Sequence, residues 1–105
     1  MTESVTDNPA RERYEIYEDG ELAGFVRYRR SGSMITLIHT QTDQRFRGRG
    51  VAARLVAASL DDVRKQGLDM LPFCPFVRDW LAGRPEYADL VPEPDRAAFG
   101  LRAGR

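Results

Sequence analysis

Six consecutive residues, Arg45-Phe46-Arg47-Gly48-Arg49-Gly50, have the make-up of an anion-binding loop. Gly48 and Gly50 lack a Cβ, so an anionic oxygen can approach the backbone and a positive φ costs little. Arg45, Arg47 and Arg49 add charge beside it, and a guanidinium matches phosphate geometry with paired hydrogen bonds. A short way upstream stands His39, the only histidine. Histidine titrates nearest neutral pH and so suits general acid–base work; packing on the sheet's apolar face is the competing use of this one. Downstream, the only cysteine, Cys74, immediately precedes Pro75. A helix N-terminus favours thiolate, which would make Cys74 a nucleophile or an acid. The competing use is that of a small buried hydrophobe.

The elements around these residues set their positions. Met34 to Gln41 is rich in β-branched and apolar residues and reads as a strand. Strict alternation puts Ile35, Leu37, His39 and Gln41 on one face and Met34, Thr36, Ile38 and Thr40 on the other. Val51 to Leu60 is dense in helix formers, so a helix is expected from Arg49 or Gly50 to Gln66, stopped by Gly67. Its inward stripe is Val51, Leu55, Val56, Ser59, Leu60 and Val63. The first amides of that helix have no intrahelical partner and carry the positive end of its dipole. Strand, glycine-arginine loop and helix together predict a ligand with phosphates.

Earlier in the chain, Tyr14 to Glu18 and Leu22 to Arg30 read as a hairpin around Asp19-Gly20. With Met34 to Gln41 they form a three-strand antiparallel meander. Asp69 to Phe73 is a fourth strand, parallel to the third across the helical crossover. Pro75 starts a second helix, with Phe76, Val77, Trp80 and Leu81 on its apolar face; Phe73, Phe76 and Trp80 read as core rather than as a substrate platform. The fold class is therefore α/β (α+β): a mostly antiparallel sheet of about four strands, a crossover helix and a second C-terminal helix. Residues 1–12 have few apolar positions and are expected to fray as a flexible tail. One domain spans 13–91, and 92–105, with Pro92 and Pro94, is expected to be loosely attached.

Length and composition restrict what this layout can serve. A chain of 105 residues has room for one hydrophobic core. Sixteen basic residues balance sixteen acidic ones, which argues against general nucleic-acid binding. One cysteine excludes an internal disulfide and a multi-cysteine metal site, and no metal is expected. No apolar run approaches the roughly 20 residues of a membrane span. The polar N-terminus is not a signal peptide, so the expected location is cytoplasmic, with no membrane partner and a monomer or weak dimer. A nucleotide-binding loop would end in Gly-Lys-Ser/Thr, and this one does not.

The pattern Arg45-x-x-Gly48-x-Gly50 on a strand-loop-helix resembles the GNAT acetyltransferase superfamily, whose Gln/Arg-x-x-Gly-x-Gly/Ala loop holds the pyrophosphate of acetyl-CoA. The meander ending in Ile38-His39-Thr40, then Leu71-Pro72-Phe73-Cys74 and Arg84-Pro85-Glu86-Tyr87, is similar to the small YjdJ-type subfamily. The resemblance covers about Tyr14 to Leu90. It implies a minimal GNAT fold and an N-acetyltransferase, with acetyl-CoA as co-substrate and an unidentified small or protein amine as acceptor. The implied cofactor-binding set is Thr40, Gln41, Thr42, Arg45, Phe46, Arg47, Gly48, Arg49, Gly50 and Val51, with backbone amides of the loop as the main contacts and at least one arginine facing outward. The implied catalytic residues are His39 and Cys74. Members commonly have an acidic residue where this chain has Gln41, and often histidine where it has Arg84. Gln41 cannot take a proton, so a base role on that strand falls to His39. Cys74 remains open between acetyl-accepting nucleophile, acid for the leaving thiolate, and structural residue. The competing function is a non-catalytic acyl-CoA-binding or regulatory module on the same fold.

Overall fold

The computed structural model describes residues 2–101. Five strands lie side by side in chain order: β1 (Glu3–Asn8), β2 (Arg13–Glu18), β3 (Glu21–Ser31), β4 (Met34–Thr42) and β5 (Asp69–Pro72). The first four are antiparallel, and β5 runs parallel to β4. A parallel neighbour needs a crossover, which α1 (Val51–Lys65) supplies. The β2–β3 hairpin turns on Asp19 and Gly20, both at positive φ (50° and 83°), the geometry of a tight primed turn.

The inward stripe of α1 is the expected one: Val51, Leu55, Val56, Ser59, Leu60 and Val63 are all buried. Ser59 donates its hydroxyl to the Leu55 carbonyl at 2.7 Å, so its own polar group is satisfied in the core. This stripe meets Tyr14, Ile16, Val26 and Tyr28 of the sheet, and Tyr14 Oη donates to Asp62 of α1 at 2.6 Å. Helices α2 (Pro75–Ala82) and α3 (Pro85–Ala88) follow β5. Trp80 stacks edge-on with Tyr87, whose hydroxyl donates to Asp61 of α1. None of the described helices is long and apolar enough to cross a membrane.

Three sequence expectations fail here. Residues 3–8 are not a fraying tail; they form β1, in register with β2 from Glu3↔Glu18 to Asn8↔Arg13. The strand is polar and carries no apolar pattern, as suits an edge strand. Side chains hold it instead: Tyr28 Oη donates to Asp7 at 2.6 Å, and Asn8 Nδ2 donates to Glu15 at 3.1 Å. The sheet thus has five strands rather than four.

The segment after Val91 is also packed. Helix α4 (Glu93–Arg96) and a 3₁₀ turn (Ala97–Phe99) bring the Phe99 ring edge-on to Phe73 at 5.2 Å. Leu101 is buried. Apolar residues at 91, 99 and 101 anchor a stretch whose prolines suggested looseness; residues 102–105 lie outside those described.

The third correction concerns β4. Arg27 pairs with His39 and Tyr28 with Leu37, so Ile38 is an extra residue, a β-bulge. The bulge reverses the alternation beyond it. Directly paired residues point to the same side of a sheet, so Thr40 joins buried Val26 on the α1 face, while His39 joins exposed Arg27 on the other. The expected shared face of Leu37 and His39 does not exist.

Candidate active site

Beyond Leu37, β4 continues for five residues to Thr42 without a partner in β5. The chain after β5 is tied back by a hydrogen bond from the Cys74 amide to the Leu37 carbonyl, 2.9 Å. The far half of β4 therefore has an open edge, and a cavity of about 650 Å³ runs along it.

The loop forms the other wall. Asp43 caps a 3₁₀ turn (Gln44–Phe46) by accepting from the Arg45 amide at 2.9 Å, and buried Phe46 pins the turn to the core. Gly48 and Gly50 have φ of 81° and 74°, the left-handed region that favours glycine. Gly50 caps α1 with no side-chain acceptor, and the first helical bond is from Arg54 N to Gly50 O, 3.2 Å. The amides of Gly48, Arg49, Gly50, Val51, Ala52 and Ala53 consequently have no acceptor among the described residues. Exposed unpaired donors at a helix N-terminus attract an anion.

The three loop arginines have separate fates. Arg45 is held by Asp43 (3.1 Å) and Glu21 (3.2 Å) and does not line the cavity. Its amide and guanidinium hold the Asp43 carboxyl below the usual carboxylate range. Arg49 lies 3.8 Å from the buried Glu18 carboxylate and is also outside the lining. Arg47 lines the cavity and forms no ion pair among the described residues.

Of the residues expected to bind cofactor, Thr40, Gln41, Thr42, Phe46, Arg47, Gly48, Gly50 and Val51 line this one space, and His39 joins them. Ala52, Ala53 and Phe76 line it too and were not anticipated. Two small residues straight after the glycine loop were the available signal for the first pair, since they leave the helix end open to a ligand. Phe76 was read as core, yet it is 40% exposed, and Phe73 is 54% exposed. An apolar residue is assigned inward by default, and these two sit where β5 has ended and no strand covers them.

His39 is exposed rather than packed on an apolar face. Cys74 is buried, with 2% of its surface accessible, and does not line the cavity. Its Sγ lies 3.2 Å from the hydroxyl of Thr40, which does line it. One hydroxyl thus stands between the thiol and the cavity. Among the described residues, no three His, Cys, Asp or Glu side chains converge on a metal-sized site.

A sequence model of the GCN5-related N-acetyltransferase family matches residues 13–90. The chain belongs to that family. It is therefore an N-acetyltransferase domain, built on the mixed α/β, mostly antiparallel sheet described above. Solved structures agree on the fold. A GCN5-like protein from Staphylococcus aureus superposes with a TM-score of 0.63 at 20% identity, over 84% of this chain and 86% of that one. A ribosomal-protein-alanine N-acetyltransferase from Brucella melitensis biovar Abortus 2308 gives 0.53 at 20% identity, over 70% of this chain and 57% of its own. The N-acetyltransferase described here is thus close to the first in extent and spans a little over half of the second.

Proposed function

We propose that this N-acetyltransferase binds acetyl-CoA with its pyrophosphate on the Gly48–Ala53 amides and passes the acetyl group to an amine at the open edge of β4. The observation that carries this is the run of six unpartnered amides beside the cavity. The space is within the usual range for a ligand pocket. A Cβ at Gly48 would meet nothing within 4 Å, which leaves the backbone open to an oxyanion. Arg47 adds the charge that Arg45 and Arg49, tied to carboxylates, do not.

Acetyl-CoA supplies an acyl carbon already activated as a thioester. The protein has three tasks left: to deprotonate the amine, polarise the carbonyl and protonate the leaving thiolate. His39, exposed at the outer lip of the edge, takes the ammonium proton. Backbone amides on the unpaired edge of β4 polarise the thioester carbonyl. The Thr40 hydroxyl, backed by Cys74 Sγ, donates a proton to the departing sulfur and recovers one from the thiol. Overall the C–N bond forms and the C–S bond breaks. The ammonium gives up two protons, one to His39 and on to solvent, the other as the amide forms. This second proton replaces the one the Cys74 thiol relayed through Thr40 to the CoA sulfur. A direct nucleophilic role for Cys74 is the weaker reading, because the thiol is buried behind Thr40. Its His39, Cys74 and Pro85-Glu86-Tyr87 positions support placing it in the YjdJ-type subfamily, and we propose that it works in the cytoplasm.

Turnover with acetyl-CoA and a panel of peptide, polyamine and amino-acid amines tests the proposal. Release of CoA thiol that depends on the amine supports it. Tight acetyl-CoA binding with no turnover on any amine would make the protein an acyl-CoA-binding module instead.

A further inference from the structure

The bulge at Ile38 places His39 on the sheet face turned away from α1, in register with Arg27 of β3 and, through it, Arg13 of β2. We propose that this face docks an acidic polypeptide segment and presents its amine to His39; this rests on the proposed function and names its acceptor. Arg13 is neutralised by Glu15, 2.7 Å away, and lies over the Phe25 ring at 4.4 Å. Arg27 and Arg29, on the same face of β3, are exposed and make no side-chain hydrogen bond or ion pair among the described residues. Two further acids border this face: Asp43, beside Phe25 and Gln41, is held by Arg45 at 3.1 Å, and Asp69, at the start of β5, is paired with Met34 at the far end of β4 from His39. Two uncompensated guanidinium groups therefore stand beside the proposed base.

Their spacing selects the occupant. Alternate residues of a strand are about 7 Å apart, the spacing of alternate side chains in an extended peptide. A segment with carboxylates at alternate positions meets Arg27 and Arg29 together, whereas a small amine such as aspartate, its two carboxylates on adjacent carbons, is too short to span both. A lysine-rich segment or a polyamine would meet cations beside the site of proton loss.

The test is steady-state kinetics with acetyl-CoA and three matched peptides of acidic, neutral and lysine-rich sequence, plus free aspartate. The acidic peptide is expected to have the lowest KM, by about tenfold over the neutral one at low salt, with the advantage shrinking as salt rises. Arg27→Glu and Arg29→Glu should each raise KM for the acidic peptide about fivefold or more while leaving KM for acetyl-CoA unchanged. Equal or better use of the lysine-rich peptide, aspartate as good as the acidic peptide, or reversal variants that leave the preference intact would each overturn the proposal. So would acetyl-CoA binding without transfer to any peptide. Failure to bind acetyl-CoA would instead overturn the proposed function on which it rests.

Discussion

Arg54 Nη1 donates to the carbonyl oxygen of Arg49 at 2.8 Å, so the first turn of α1 holds the glycine loop from within. The same guanidinium is gripped by Glu3 of β1 at 2.9 Å and lies 3.6 Å from buried Glu18 of β2. With the Arg49 carbonyl fixed, the peptide that carries the Gly50 amide is fixed as well. Arg54→Ala is expected to weaken acetyl-CoA binding about fivefold, through lost ordering of the loop. Arg54→Lys should recover little, because an ammonium cannot bridge three acceptors in a planar fork. Titration calorimetry of both variants checks this, with kcat at saturating acetyl-CoA expected to change far less than affinity.

His39→Ala should keep acetyl-CoA affinity and lose about 10²–10⁴-fold in kcat, the usual contribution of a positioned proton acceptor. Thr40→Val removes the hydroxyl between Cys74 and the cavity and should lower kcat with binding intact. Cys74→Ser, which can still pass a proton, should stay more active than Cys74→Ala. Full activity in all of these variants would refute the roles given to His39, Thr40 and Cys74.

Removal of residues 1–8 should lower the melting temperature and weaken acetyl-CoA binding together. It strips the β2 edge of its partner strand and takes Glu3 from Arg54 and Asp7 from Tyr28. A truncated chain that melts and binds like the full one would show β1 to be dispensable.

What the sequence disclosed and what it hid follow from physical range. The α1 stripe was legible because burial repeats at the helical period over fifteen residues. The loop was legible because glycine and arginine chemistry is local. β1 was hidden because its stability comes from backbone pairing and from side chains of β2 and β3, not from an apolar pattern. The bulge at Ile38 leaves no mark in composition, yet it decides which face His39 occupies. Arg45, Arg47 and Arg49 look equivalent in sequence; Asp43 and Glu21 tether Arg45 and Glu18 approaches Arg49, and the two glutamates are distant along the chain.

Acid should destabilise the sheet through Glu15. Burial pushes its carboxyl up, but hydrogen bonds from Arg13, Tyr17 and Asn8 outweigh that and leave it below the usual value of 4.5. A carboxyl depressed in the folded state stabilises fully above its unfolded pKa, and the benefit is lost as pH falls through the folded value. Melting temperature should therefore be level near neutrality and decline below about pH 4.5. Glu15→Gln should melt lower at pH 7 and show a shallower decline, as thermal melts from pH 3 to 7 would reveal.

Gly48→Glu addresses the phosphate loop itself. Position 48 lines the cavity at a φ of 81°, and a glutamate there brings strain, bulk and negative charge to the unpartnered amides. The decisive measurement is calorimetric titration of the wild-type protein and Gly48→Glu with acetyl-CoA, CoA, ATP and NAD, with circular dichroism to confirm that the variant folds. Wild-type protein should bind acetyl-CoA and CoA in preference to ATP and NAD, and a folded Gly48→Glu should bind none of them measurably. Undiminished acetyl-CoA affinity in the folded variant, or a wild-type preference for ATP or NAD, would contradict the account.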